Sequence, residues 1–195
     1  LPLRGFMVRK EAKGHGTKVV SIGLVTCRSG RIQGRWSTHV NPGIPISRRS
    51  TTIHGLRDED VEHAPTFTDI GATLLAGLTP VPGEVLVVVA HNAAYDVPIL
   101  REELAAAGLT LPDLPVLDTM GRLAGLAGVS PASRKLSDLL LALGLGNTNP
   151  HDALADAVAT AQAACELLGR AAHNGHMDIN VLLDAVEATT ALTQT

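Results

Sequence analysis

The chain has 195 residues, of which 45% are hydrophobic and 18% are charged, and its net charge is −3. This length fits one domain, and the composition excludes a disordered chain of high charge and low hydrophobicity. Aromatic residues make up only 2%, which excludes a nucleic-acid binder built on rows of stacking rings, and the acidic balance excludes a protein that wraps duplexes by charge.

The first half of the chain predicts a strand meander followed by helices and a buried strand. Runs rich in β-branched residues at 6–8, 19–26 and 32–40 are separated by turn-prone glycines and predict three consecutive strands. Residues 58–78 carry apolar residues at mixed helical spacing and predict one or two short helices. Residues 85–90 are continuously apolar, so we expect a central strand that is buried on both faces.

The second half alternates helices with a short strand. Helices are predicted at 95–107, 137–143 and 153–172, and a strand at 116–119. The chain begins with consecutive strands and continues with strands that alternate with helices. This order indicates an α/β domain with a mixed sheet. A further helix at 178–191 has no place in that sheet, so we expect a domain over residues 1–172 and an appended C-terminal helix within 173–195.

Three sequence features indicate the cellular setting. The longest apolar run is far shorter than the roughly 20 residues that span a bilayer. The first residues lack both an initiator Met and a long apolar stretch, which indicates a trimmed or internal domain and not a signal peptide. Cys27 and Cys165 have no CxxC spacing, so we expect ordinary reduced thiols and a cytoplasmic location.

The first chemical constellation directly follows the central strand. Asn92 and Asp96 lie where a strand ends and a helix begins, which is where open α/β sheets place ligands. The competing interpretation is that Asp96 caps the helix or complements its dipole, and the local sequence alone favours that interpretation.

The second constellation lies at the start of the long Ala-rich helix. His151 precedes the helix and Asp156 falls in its first turns, so both side chains can face one pocket as a base and a metal ligand. The competing interpretation makes Asp152 a helix cap and His151 a solvated loop residue. Because Asp156 is surrounded by small apolar residues, burying it is costly unless it coordinates or pairs, which favours a functional role.

A third candidate, Glu11, follows the first strand and on its own would be a surface charge. Considered together with Asp96, His151 and Asp156, Glu11 indicates a divalent-cation site. Carboxylates from separated elements commonly hold hard divalent cations for phosphoryl chemistry.

With these motifs the chain resembles the DEDD-type 3'-5' exonuclease family. The resemblance is to its histidine-containing branch, which includes the proofreading epsilon subunit of bacterial replicative DNA polymerase and RNase T. It covers residues 6–168 and rests on the ordered segments 19–23, 53–56, 60–67, 90–96, 117–119, 135–136 and 151–157.

The resemblance implies a ribonuclease-H-like mixed sheet flanked by helices and a metal-dependent hydrolysis of the 3'-terminal phosphodiester of single-stranded DNA or RNA. It makes Glu11, Asp96 and Asp156 the catalytic acids and ligands of Mg²⁺ or Mn²⁺, and His151 the general base. Ile53, His54 and Asn92 would line the slot for the terminal nucleotide.

One position departs from the family pattern. The family has an Asp two residues before the first-motif Glu, and this chain has Arg9 there. Replacing a bridging carboxylate by a guanidinium changes the local charge by two units and removes a metal ligand. Arg9 either binds a phosphate in the vacated position or neutralises the remaining acids. A third interpretation is a different register for the first motif, in which the strand bulges.

Two classes of function therefore stay open. The first is an exonuclease, impaired or unimpaired by Arg9, and the retained His151 favours it. The second is a non-catalytic, exonuclease-like module that binds nucleotides, nucleic-acid ends or a protein partner, the last through the C-terminal helix.

Overall fold

The computed structural model describes residues 2–13 and 16–176, with side chains described from residue 18 onward. Its strands are β1 (Pro2–Lys13), β2 (Gly16–Arg28), β3 (Arg31–His39), β4 (Val87–Ala90) and β5 (Val116–Asp118). They form one sheet in the order β3-β2-β1-β4-β5. The first three pair antiparallel, whereas β4 runs parallel to β1 and β5 parallel to β4. The predicted meander and mixed sheet are confirmed.

Helices cover both faces of this sheet. They are α1 (Arg48–His54), α2 (Asp58–Val61), α3 (Phe67–Gly77), α4 (Ala93–Ala106), α5 (Arg122–Leu126), α6 (Leu136–Leu143) and α7 (Ala153–His173). The side chains of α3 and α4 form one buried apolar cluster against the sheet, and those of α5, α6 and α7 form another. Among the described residues, no helix is both long and apolar enough to cross a bilayer.

Strand β4 is buried on both faces, as its apolar run predicts. Val87 and Val89 belong to the cluster under α7, whereas Val88 and Ala90 belong to the cluster under α4. The strand is shorter than the predicted range 85–90, because Val85 is 52% exposed and pairing begins at Val87.

The structure also differs from expectation at three other places. Strand β1 extends well beyond residues 6–8, because it pairs along most of β2. Helix α1 was not anticipated, although the Ser47 hydroxyl caps it by accepting the N–H of Ser50 at 3.2 Å. Helix α5 has five residues, too few to show a helical period. The helix expected at 178–191 lies outside the described residues.

Helix α7 lies close to the sheet because its inner face is mostly alanine. It packs on β1, β2, β3 and β4. The backbones approach closely at Gly23 of β2, where an added Cβ would lie 2.4 Å from the carbonyl oxygen of Ala153. The absence of a side chain at Gly23 therefore leaves room for the first residue of α7 against β2.

Candidate active site

The candidate acid Glu11 lies on β1. The candidate acid Asp96 lies in the helix that follows β4, the strand that pairs in parallel with β1. Gly5 of β1 pairs with Val89, so β1 continues past the carboxyl end of β4. In the ladder with β2, Arg9 lies opposite Ser21 and Glu11 opposite Lys18. The backbones of Arg9 and Glu11 thus lie beyond the end of β4, and their side chains are outside the described part.

The start of α4 is fixed by a carboxylate from β5. Asp118 is buried and accepts hydrogen bonds from the backbone N–H groups of Asn92 (3.0 Å), Ala93 (2.8 Å) and Met120 (2.9 Å). Asn92 is the N-cap residue in a left-handed conformation (φ 75°), and its side chain makes no capping bond. Asp118 is therefore a carboxylate that caps this helix from another strand, and Asp96 lies in the first turn, where an acid complements the helix dipole.

Asp96 lies in the first turn of α4 and is only 4% exposed. This turn directly follows the carboxyl end of β4, so a buried carboxylate lies at the edge of the sheet past which β1 runs. The neighbouring Tyr95 is half exposed, and sequence reasoning did not single it out.

Asp156 lies in the equivalent first turn of α7 and is 5% exposed. Asp152 is the N-cap, as predicted, because its carboxylate accepts the N–H of Ala155 at 2.8 Å. The Nδ2 group of Asn147 donates to Oδ1 of Asp156 at 2.5 Å, and Oδ1 of Asn147 accepts the N–H of Asn149 at 3.1 Å. Sequence reasoning missed Asn147, although the turn-forming run at 147–150 was a visible signal.

His151 is exposed and has a left-handed backbone (φ 72°) in the turn before the Asp152 cap. The other predicted site residues lie on or beside α1 and α4. Ile53 is 53% exposed near the end of α1, which packs beside β1. His54 ends α1, and its Nδ1 accepts the N–H of Leu56 at 3.1 Å, which leaves the ring proton on Nε2. Asn92 is exposed.

A second histidine, His91, joins three segments at this edge of the sheet. Its Nδ1 lies 2.8 Å from Oγ1 of Thr119, and its Nε2 lies 3.0 Å from the carbonyl oxygen of Arg134. Because only Nε2–H can bond to a carbonyl, Nδ1 accepts the Thr119 hydroxyl proton in the neutral ring. Burial lowers the pKa of His91 below its usual value, which favours this neutral form.

The donor set at this edge suits a hard cation. Asp96 and Asp156 offer carboxylate oxygens, which Mg²⁺ and Mn²⁺ prefer. Among the residues with described side chains, which exclude Glu11, no group of three or more His, Cys, Asp and Glu residues is arranged to hold a metal ion. The two described acids are thus compatible with a cation site that takes a further ligand from β1.

Comparisons with known proteins agree with this architecture. A family model described as exonuclease (RNase_T) matches residues 8–164. The chain is 36% identical over 159 residues to a DNA polymerase III subunit epsilon-like protein of Rhodobacter capsulatus, covering 78% of this chain and 21% of that protein. It is 30% identical over 153 residues to 3'-5' exonuclease DinG of Bacillus subtilis, covering 78% of this chain and 16% of that protein. The chain thus spans about a fifth of the length of these relatives.

Solved structures share the fold. E. coli Exonuclease I in complex with a dA16 oligonucleotide superposes with a TM-score of 0.77 at 16% identity, covering 94% of this chain and 45% of that one. The nuclease domain of 3'hExo, a DEDDh family member bound to rAMP, superposes with a TM-score of 0.73 at 15% identity, covering 86% and 92%. These likenesses confirm the predicted ribonuclease-H-like mixed sheet.

Proposed function

Because the chain belongs to the RNase_T exonuclease family, whose model matches residues 8–164, we propose that it hydrolyses the 3'-terminal phosphodiester of single-stranded DNA or RNA. The observation that carries the proposal is a pair of buried carboxylates, Asp96 and Asp156, each in the first turn of a helix that packs on the sheet. Carboxylate oxygens are ligands that Mg²⁺ and Mn²⁺ prefer, which supports a role in binding a cation. We also propose that the chain acts in the cytoplasm.

In this proposal Glu11 and Asp156 hold Mg²⁺ or Mn²⁺, and Asp96 acts nearby, largely through water. The bound cation would supply Lewis-acid chemistry and make the attacking water more acidic. His151, as the neutral imidazole, takes the proton of that water, and its exposure is compatible with a loop that meets the substrate. Ile53, His54 and Asn92 would line the slot for the terminal nucleotide.

Arg9 has two roles in this proposal that differ in their consequences. If the enzyme is a weakened two-metal nuclease, Arg9 occupies the place of a bridging acid and slows hydrolysis. If Arg9 clamps a phosphate, it contributes to binding of the nucleic acid. The first role receives more support, because the remaining acids and His151 are retained.

The second candidate function is a non-catalytic module that binds nucleotides, nucleic-acid ends or a protein partner. The observation that favours it is Arg9 itself, together with Ala12, in the first motif. A protein partner that binds through the helix predicted from the sequence at 178–191, which lies outside the described residues, is also a proposal.

The test is cleavage of a 5'-labelled single-stranded oligonucleotide in Mg²⁺ or Mn²⁺. We expect stepwise shortening from the 3' end that is abolished in Asp156→Asn, Asp96→Asn and His151→Ala. Glu166→Gln on the same helix as Asp156 is the matched control, because Glu166 pairs with Arg170 on the surface. Oligonucleotide binding without cleavage supports the non-catalytic module, and neither binding nor cleavage leaves only the protein-binding module.

Variants of Arg9 separate its two roles. Arg9→Asp is expected to raise cleavage, while Arg9→Ala raises it little. If both variants instead weaken oligonucleotide binding, Arg9 is the phosphate clamp.

Calorimetric titration with Mn²⁺ tests the metal site separately. Loss of the bridging acid leaves the cation with few anionic ligands, so we expect one weak site per chain that Asp156→Asn removes. Two tight sites would contradict this expectation and indicate a different register for the first motif.

A further inference from the structure

The stretch between β5 and α7 has an unusual balance of charge for this acidic chain. Residues 119–150 contain three cations, Arg122, Arg134 and Lys135, and a single acid, Asp138. The three cations are exposed, and none forms an ion pair with any residue that the structure describes. We call these three residues the basic rim.

The nearby acids Asp118 and Asp138 accept other hydrogen bonds and form no ion pair with the basic rim among the described residues. Asp118, at the end of β5, is buried and accepts three backbone N–H groups. Asp138 accepts the hydroxyl hydrogen bond of Ser133. Residues 119–150 therefore carry a formal charge of +2, three cations less one acid, although the whole chain carries a net charge of −3.

The basic rim is tied to the candidate active site through His91. The imidazole spans from Thr119, three residues before Arg122, to the carbonyl oxygen of Arg134. His91 is also the residue between β4 and Asn92, whose backbone begins α4 and so positions Asp96. One half-buried side chain thus joins the two cationic segments to the strand end that leads to Asp96.

We propose that the basic rim binds the backbone phosphates of a single-stranded nucleic acid upstream of its terminal nucleotide, and that His91 is the positioning residue that holds the Arg134 segment in place. The inference rests on the proposed nuclease function and adds to it a binding surface for the rest of the strand. An acidic protein that binds a polyanion needs its cations concentrated where the strand lies, and Arg contacts phosphate through paired N–H donors.

The experiment measures binding of a 5'-fluorescein single-stranded oligonucleotide by anisotropy in EDTA, so that the readout does not depend on cleavage. Arg134→Ala/Lys135→Ala should weaken binding roughly fivefold at low salt, as expected for two exposed ionic contacts. It should also reduce the slope of log K against log salt by about 1.4, because each phosphate contact on a single strand contributes about 0.7.

The matched control is Arg31→Ala/Arg35→Ala, which removes two exposed cations from β3. This strand is the outermost one on the side of the sheet away from β5. This control should leave the salt slope nearly unchanged. Equal losses of oligonucleotide affinity and of salt slope in both double variants would overturn the proposal, because they would indicate a general effect of net charge. A nucleoside 5'-monophosphate should bind wild type and the Arg134→Ala/Lys135→Ala variant equally, since it lacks the upstream phosphates that the basic rim is proposed to bind.

Variants of His91 test its positioning role. His91→Phe removes both hydrogen bonds and should lower the salt slope although Arg134 and Lys135 are present. His91→Gln, whose amide can still donate to the carbonyl of Arg134, should restore the slope. If His91→Phe lowers only the melting temperature and leaves the slope unchanged, the histidine is structural and not a positioning residue.

The outcome for wild type separates this inference from the proposed function. If the wild-type protein cleaves the oligonucleotide and the Arg134→Ala/Lys135→Ala variant binds it as tightly as wild type does, the phosphate-binding role of the basic rim is overturned. The nuclease proposal is then unaffected. Wild-type protein that neither binds nor cleaves overturns both.

Discussion

Asn147 shows how one neutral side chain can tune a candidate cation ligand. Its amide donates to one carboxylate oxygen of Asp156 and is oriented by the N–H of Asn149. A hydrogen bond that orients a metal-binding carboxylate supports binding of the cation, so Asn147 would hold Asp156 in position as a ligand.

We therefore expect Asn147→Ala to reduce cleavage about tenfold, chiefly by raising the Mn²⁺ concentration needed for half-maximal activity. A metal titration of the cleavage rate measures this effect. Thr148→Ala, in the same exposed turn, should retain the wild-type metal dependence. A loss of rate that saturating Mn²⁺ does not restore would contradict this role for Asn147.

His91 should make the stability of the fold depend on pH. Burial lowers the pKa of His91, and this effect exceeds the opposing effects of the hydrogen bond to the Arg134 backbone and of the Asp118 charge. Below pH 6.5, the ordinary pKa of histidine, the unfolded chain takes up a proton on this residue more readily than the folded chain. The free energy of unfolding therefore falls as the pH drops from about 6.5, and this contribution is constant above that value.

His91→Gln should consequently flatten the acid side of the stability profile. Urea unfolding between pH 5 and 8 measures the slope in wild type and variant. His63→Gln, which replaces a histidine with an exposed side chain, should retain the wild-type profile. Parallel profiles for wild type and His91→Gln would show that His91 does not titrate differently in the folded protein.

At the scale of elements, the contact between β2 and α7 should be the least tolerant of added volume. A Cβ at Gly23 would lie 2.4 Å from the carbonyl oxygen and 2.6 Å from the carbonyl carbon of Ala153, both backbone atoms. Since backbone cannot rotate away, Gly23→Ala must shift the start of α7, and with it the turn that carries Asp156.

We expect Gly23→Ala to lower the free energy of unfolding by about 3 kcal/mol and to reduce cleavage further than the loss of folded protein explains. Denaturant titration and the cleavage rate per folded molecule measure the two effects. Gly125→Ala in α5 is the matched control, because its added Cβ meets nothing within 4 Å and alanine is the better helix former. Gly125→Ala should leave the free energy of unfolding unchanged or raise it. Equal stability of Gly23→Ala and wild type would show that α7 does not pack against β2 at Gly23.

The sequence predicts elements with a strong pattern and misses those set by local contacts. The apolar run of β4 and the Ala-rich α7 are visible because their burial follows a simple period. Helix α1 depends on the Ser47 cap, and α5 is a single short turn, so neither has such a period.

The candidate site shows the same division. Asp96 and Asp156 were identified from their positions at helix starts, and both are buried there. The cap from Asp118 and the hydrogen bond from Asn147 join residues 25 and 9 positions apart, and local sequence carries no period for such pairs.

At the scale of the whole molecule, the two cysteines lie in the apolar layer between the sheet and α7. Cys27 of β2 is buried in the cluster that α5, α6 and α7 form against the sheet, and Cys165 of α7 packs against the same cluster. Burial, with a smaller effect of Cys165, raises the pKa of the Cys27 thiol to about 12, and burial also raises the pKa of Cys165. Both thiols are therefore protonated at neutral pH.

Reaction of Cys27 with a thiol reagent should consequently report on opening of this layer. Burial raises the pKa of the Cys27 thiol, so little of it is ionised at pH 8, and the reagent must also reach a buried sulfur. In Cys165→Ser, which isolates Cys27, we expect labelling in the native state to follow the rate at which α7 separates from the sheet. Labelling should accelerate with urea in parallel with unfolding measured by circular dichroism. Rapid labelling of Cys27 without denaturant would show that α7 does not cover β2 as the structure describes.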